Sequence, residues 1–219
     1  MINLEEKMLQ NRVDPEGRLI ITLARGDWMG NRGRIHNEKK EIVHSFRLKA
    51  WITCLLAFRG RRREVMAPNR YTELFFLDEA TSFAAGHRPC FECRRKDYER
   101  FKLFWLKGNP DRGFDERTSI KEIDKVLHEE RITKDGVKRT YKEQFKNLPD
   151  GAFILVGEQP FLVAGGERFE WSPYGYKVRS SISGTEHVSV LTPRSIINAF
   201  KAGYRPQLHK SCFARMADQ

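Results

Sequence analysis

The chain predicts an α+β protein, β-rich in its N-terminal and C-terminal parts around a central helical region. Three observations lead there. Short apolar, β-branched runs broken by glycines occupy residues 18–77 and again 152–191. Between them, Ile120, Ile123, Val126 and Leu127 recur at helical spacing. Cys90-Phe91-Glu92-Cys93 places two thiols at the C-x₂-C spacing of half a tetrahedral zinc site, which makes the centre a zinc-knuckle region.

Residues 18–24 and 51–58 form strand candidates, and 58–61 turns the second back into 64–66 as a hairpin. Gly26, Gly30 and Gly33 punctuate the polar stretch between them, and 71–77 is a third strand. Asp78 caps a short helix running to Ala85. Gly86 stops it, because glycine enters left-handed backbone without a Cβ clash. After the knuckle, residues 96–106 are helical with a heavy aromatic load, and Gly108-Asn109-Pro110 ends the helix. Ser119 and Glu122 make a capping box for the next helix, and Lys134-Asp135-Gly136-Val137 is a turn. Residues 152–156, 160–164 and 168–171 alternate with glycine turns as a meander, and 187–191 adds a strand. Trp171, Tyr174 and Tyr176 surround a turn that reads as sheet packing or as a pocket wall. Thr192 caps a last helix with Pro193 at its first position.

This organisation divides the chain into residues 1–110 (hairpins, knuckle and helix), 111–149 (a helical connector) and 150–219 (meander and C-terminal helix). Residues 134–149 are the linker candidate, and one integrated domain fits the same pattern.

The 219 residues carry a net charge of +11 with 40% hydrophobic and 32% charged residues, a composition that folds and favours polyanions. No apolar run approaches the roughly 18 residues that span a bilayer, so no membrane partner is expected. The N-terminal residues lack the apolar core of a signal peptide. Four cysteines (Cys54, Cys90, Cys93, Cys212) are too few and scattered for a disulfide framework, and a reducing cytoplasm is the expected compartment. A redox role for Cys90 and Cys93 fits poorly, since they follow a helix stop and do not open a helix after a strand.

Residues 76–93, ending in Ala84-Ala85-Gly86-His87-Arg88-Pro89-Cys90-Phe91-Glu92-Cys93, resemble the second half of the Ada-type metal-binding domain of DNA methyl-phosphotriester repair proteins. The shared pattern is a strand ending in an aromatic, a short Ala-rich helix, then A-A-G-x-R-P-C-x-x-C. The resemblance implies a structural Zn²⁺ with Cys90 and Cys93 as ligands, near DNA in preference to RNA. The family's upstream cysteine pair, one of which accepts the methyl group, has no counterpart here, so that activity is not carried over.

The remaining metal ligands are sought among Cys54, Cys212 and His209, with His87 a near neighbour. His209-Lys210-Ser211-Cys212 repeats the knuckle spacing with a histidine in first place. Residues 82–89 and 199–206 share an apolar helix end, glycine, an aromatic or histidine, Arg and Pro, which reads as common helix-ending chemistry. The second copy leads into His209 and Cys212 as the first leads into Cys90 and Cys93.

Arg61, Arg62, Arg63, Arg94, Arg95 and Lys96 flank the knuckle as phosphate contacts, and Arg32, Arg34 and Trp28 add charge and a stacking ring. Residues 27–38 form a glycine-punctuated loop of the kind that brings backbone close to phosphate. In it His36 with Glu38, Glu41 or Asp27 could serve as general base and metal ligand in phosphodiester hydrolysis. No P-loop, G-x-G-x-x-G, G-x-S-x-G or nuclease signature is present. The sequence therefore points to a zinc-containing nucleic-acid-binding protein. A metal-dependent nuclease or base-processing hydrolase, or a basic partner-binding protein, are the alternatives. Whether it is an enzyme, and its oligomeric state, stay open.

Overall fold

A computed structural model of the protein describes residues 8–61, 64–180 and 183–214. It is α+β, with two six-stranded sheets and five α-helices among the described residues. The first sheet contains β1 (Gln10–Val13), β2 (Leu19–Ile21), β3 (Trp28–Asn31), β4 (Ile52–Cys54), β5 (Leu74–Phe76) and β6 (Arg88–Pro89). Their order is β2-β1-β5-β3-β4-β6, with β1/β5 and β4/β6 parallel. Between β5 and β6 the chain forms α1 (Glu79–Ala84), and after β6 come α2 (Arg95–Gly108) and α3 (Ile120–Arg131).

The second sheet contains β7 (Tyr141–Gln144), β8 (Phe153–Val156), β9 (Gln159–Ala164), β10 (Glu167–Ser172), β11 (Gly175–Ser180) and β12 (His187–Val190). It is antiparallel, in the order β11-β10-β9-β8-β12-β7. Two helices follow, α4 (Arg194–Lys201) and α5 (Lys210–Ala214).

The expected meander and central helices are present, with Asp78 and Ser119 as caps. No capping box closes, since Ser119 accepts the Lys121 N–H at 3.3 Å and Glu122 pairs with Lys125, and several other local expectations are not met. No hairpin pairs residues 64–66: Arg59 and Gly60 both take positive φ, and the Met66 N–H donates to the Glu73 carboxylate at 2.8 Å. The segment runs as a loop because its polar backbone is satisfied by this buried acid, with no partner strand. Residues 134–149 are not a free linker, since β7 pairs with β12 along its length. Thr192 does not cap α4. Its hydroxyl accepts the Phe153 N–H at 2.9 Å, and Pro193 takes the cap position without a side-chain bond. The turn after Trp171 is sheet packing: Tyr176 is buried and donates its hydroxyl to Asp78 at 2.7 Å.

The internal echo is a shared helix ending. The N–H groups of Gly86 and His87 bond the carbonyls of Phe83 and Ser82, and those of Gly203 and Tyr204 bond Phe200 and Ala199. Both glycines have positive φ, the Schellman arrangement that a Cβ would oppose.

All six residues of α1 are buried, and they join three apolar clusters. Phe83 packs with Phe101, Trp105 and Phe200. Ala80 and Ala84 pack with Phe153 and Phe169, and Ala85, just past the helix, packs with Phe76 and Ile35. The polar groups that enter with the helix are satisfied. The Asp78 carboxylate accepts from Thr81, Tyr176 and the His209 N–H. Glu79 accepts from Arg94, from the Tyr204 hydroxyl at 2.9 Å and from the Gln207 N–H at 2.9 Å. Both partners of the Glu79–Arg94 pair have side chains only 2% exposed. Removing Glu79 leaves the buried Arg94 with only the partly exposed Asp97 and takes the acceptor from Tyr204 and the Gln207 N–H. Glu79→Ala is therefore expected to lower the unfolding free energy by about 3–5 kcal/mol. Urea denaturation measures this, and a loss below about 0.5 kcal/mol, the size of an inconsequential surface change, contradicts it.

Candidate metal centre

The centre is assembled by strand register. In the parallel pair β4/β6, Ile52 lies opposite Arg88 and Thr53 opposite Pro89, and the Cys90 N–H donates to the Thr53 carbonyl at 2.9 Å. The next residue along β4 is Cys54, which therefore sits beside the knuckle. The knuckle closes through the Arg94 N–H to the Cys90 carbonyl at 3.1 Å, and the Glu92 N–H points at the Cys90 Sγ at 3.4 Å. Arg94 ends the turn, locked by Glu79 and by Asp97 at 2.9 Å.

The sulfurs of Cys54, Cys90 and Cys93 all lie within 4.8 Å of one another, a spacing that can hold one metal ion. None of the three is in a disulfide, Cys54 and Cys90 are buried, and Cys93 is half-buried. The thiols share protons. Hydrogen bonds from Cys54 and Cys93, and N–H groups of Cys93 and Glu92, hold Cys90 far below the usual thiol range. Cys54, the partner in that sharing, is pushed up by the same bonds to Cys90 and Cys93 and by burial. Sulfurs gathered this closely, with one already favoured as thiolate, fit a thiophilic metal that displaces the remaining protons.

A cavity of about 530 Å³ adjoins the three cysteines, with Asn31, Tyr71, Glu73 and Glu92 among its walls. Glu73 is buried and Glu92 exposed, the latter paired with Arg61 at 2.6 Å. Of these walls, Glu92 lies within the knuckle and Glu73 reads in the sequence as an acid bordering it. Asn31 and Tyr71 carry no local signal, and Asn31 reaches the cavity through the pairing of β3 with β4.

The tail does not join this group. Cys212 is fully buried in the apolar cluster with Leu77, Phe153 and Trp171, and burial raises its thiol to about 11. His209 shares a hydrogen bond between its Nδ1 and the Ser211 hydroxyl at 2.8 Å and donates its N–H to Asp78. His87 is buried and ring-packed against Phe76 and Trp51.

The basic candidates separate by burial. Arg94 is buried and stacks 3.8 Å above the Trp28 ring, whose Nε1 donates to Gln207 at 2.7 Å. Arg32 is buried as well, with its guanidinium donating to the Gly17 carbonyl. Arg94 and Arg32 are held inside the fold, which corrects their assignment as surface contacts, while Trp28 is half-buried beneath Arg94. Arg34, Arg61, Arg95 and Lys96 are exposed, and Arg62 and Arg63 lie outside the described residues. Arg34 donates to Asn69 at 2.6 Å and Arg95 pairs with Glu99 at 2.5 Å.

Residues 27–38 are part strand and part loop. Trp28–Asn31 is β3, and a Cβ on Gly30 would lie 2.3 Å from the Ile52 carbonyl oxygen, so this glycine serves close strand packing. His36 is buried between the Thr72 hydroxyl at 2.6 Å and the Ala67 carbonyl at 3.2 Å, while Glu38 is exposed. Both His36 nitrogens are engaged in holding the loop.

Among the described residues no helix is long and apolar enough to cross a membrane. No family model, curated protein or solved structure matches the chain.

Elemental analysis of purified protein is expected to find one thiophilic metal per chain. Cys93→Ser should lose most of it, whereas Cys212→Ala should keep it. Loss of metal in Cys212→Ala to the same extent contradicts the three-cysteine centre.

Proposed function

We propose that the protein is a zinc protein that binds nucleic acid, with Zn²⁺ held by Cys54, Cys90 and Cys93. Zinc is the metal that three thiolates suit best without invoking redox chemistry, and its preferred fourth ligand comes from the adjoining cavity. The resemblance of residues 76–93 to the Ada-type metal-binding domain agrees with this choice and favours DNA over RNA. Free thiols at the centre suit a reducing compartment such as the cytoplasm.

The observation that carries the nucleic-acid reading is the surface of the knuckle itself. Phe91, between the two cysteines, is 51% exposed, and the Arg95 guanidinium lies 4.1 Å from its ring centroid. Beside Cys54, the Arg59 and Arg61 guanidiniums lie 5.0 and 5.4 Å from the Phe58 ring. The exposed Phe91 ring and the half-buried Phe58 ring, with arginines on both, make the usual platform for an unpaired base next to its phosphate. With Lys96 they make a cationic, aromatic rim around the metal centre, consistent with the chain's charge of +11.

A second reading is favoured by the three-cysteine donor set facing a cavity. Zinc with three protein ligands keeps a position for water and lowers its pKa, the condition for a hydrolase. In this chain Glu73 is the buried wall acid that would orient such a water. Hydrolysis of a nucleic-acid substrate that disappears in Glu73→Gln with zinc retained would select this reading.

Anisotropy with a labelled single-stranded DNA tests the main reading. Affinity should fall with salt, with a log–log slope of about 0.7 per phosphate neutralised. Phe91→Ala should cost about 1–3 kcal/mol of binding, the size of one base–aromatic stack. Salt-independent binding, or no binding by the zinc-loaded protein, defeats the reading.

A further inference from the structure

A second cavity, of about 580 Å³, is walled by Glu16, Arg18, Arg32, Trp51, Arg131 and Lys138. It reaches solvent through the exposed residues Val43, His44, Ser45 and Val137. Its walls therefore hold four cations and one carboxylate.

Arg32 and Arg131 are 3% and 0% exposed, and each guanidinium carbon lies 3.9 Å from the Trp51 ring centroid. Their hydrogen-bond partners are neutral. Arg32 donates to the Gly17 carbonyl at 2.9 Å and to His87 Nε2 at 3.3 Å, leaving Nη2 without a partner. Arg131 donates to the carbonyls of Gly86 at 3.0 Å and Lys49 at 2.7 Å, leaving Nε without a partner. Lys138, half-buried, donates to the Ala84 carbonyl.

Carbonyls satisfy N–H groups without neutralising charge, and the acids nearby belong to other arginines. Arg18 takes Asp14 at 2.6 Å and Glu16 at 2.5 Å, and Arg88 takes both oxygens of Asp124 at 2.7 Å. Among the described residues, Arg32, Arg131 and Lys138 have no carboxylate within salt-bridge distance. Burial lowers Arg32 to about 9 against the pull of Asp14, and burial with repulsion from neighbouring arginines lowers Arg131 to about 8 and Lys138 to about 7. One buried arginine on a tryptophan is ordinary packing. Three cations sharing a cavity with no acid in salt-bridge contact, the nearby Asp14, Glu16 and Asp124 being engaged by Arg18 and Arg88, cost the fold unless an anion enters. Guanidinium forks with an ammonium are the donor set that grips a phosphate, and this volume is that of a small-ligand pocket.

We propose that this cavity is a phosphate-binding site in which Arg32, Arg131 and Lys138 hold the oxyanion, supplied as free phosphate or as a phosphorylated small molecule. The site shares no cysteine with the metal centre and does not depend on the nucleic-acid reading. Its physical signature is that the empty site is destabilised by its own charges.

The test is a thermal-shift and calorimetric series on the full, metal-loaded chain. Inorganic phosphate and adenosine 5′-monophosphate are compared with chloride at matched ionic strength. Saturable stabilisation by either phosphate compound, absent with chloride, is expected. Monophosphate binding about tenfold tighter than inorganic phosphate marks a phosphorylated ligand, and equal affinity marks the free ion. Lys138→Met removes charge but keeps the apolar stem. It should melt higher than wild type without phosphate and bind phosphate at least about tenfold more weakly. Lys138→Arg, which keeps the charge, should bind within about threefold of wild type. Equal stabilisation by chloride and phosphate overturns the proposal on the wild-type protein alone, and undiminished phosphate affinity in Lys138→Met overturns it independently.

Discussion

The structure depends on the burial of α1 on every side. A six-residue helix has too little internal hydrogen bonding to stand alone. Here Phe83, Ala80 and Ala84, with Ala85 just beyond, each enter one of the three apolar clusters. Burial of the whole helix obliges its polar groups to find partners inside the protein. Asp78 thereby gathers Tyr176 and the backbone of His209, and Glu79 gathers Arg94, Tyr204 and Gln207. Sheet, helix and tail are thus tied to one turn of chain. Arg94 directly follows Cys93, so the same contacts fix the knuckle.

The three-cysteine cluster inherits its geometry from that anchoring. The chain leaves α1 at Gly86 and immediately forms β6, whose parallel register with β4 sets Cys54 against Cys90. Nothing in the knuckle itself selects the third thiol. The choice is made by which strand lies next to β6, and β4 is held there by the Thr53 hydroxyl bonded to Ser82 of α1 at 3.0 Å. The same exit places Gly86 against Arg131, where a Cβ would lie 2.5 Å from the arginine Cδ. One helix end therefore positions both a thiol-rich centre and a cation-rich cavity, two sites with opposite ligand preferences.

What the sequence disclosed follows the range of the interactions involved. Asp78 as cap, Gly86 as stop, the meander and the C-x₂-C turn are local, and each reads from a few neighbouring residues. Cys54 and Cys212 were equal candidates because the deciding register joins strands 36 residues apart in the chain, from Ile52 to Arg88. Arg94 read as a surface charge because its partner Glu79 lies a helix and a turn earlier, and Arg32 because Trp51 and Gly17 meet it only in the fold. Gly30 read as part of a glycine-punctuated loop although it serves strand packing, since both needs are met by the absence of a Cβ. The cluster of Arg32, Arg131 and Lys138 has no sequence signature at all, being drawn from three distant segments.

The most direct test of the central claim is X-ray absorption at the zinc edge of the purified protein. The account requires three sulfur scatterers at about 2.3 Å and one lighter atom at about 2.0–2.2 Å, as Cys54, Cys90 and Cys93 plus an oxygen or nitrogen from the cavity would give. A shell of four sulfurs would show that another cysteine closes the site and that no position faces the cavity. A protein without zinc would remove the centre altogether.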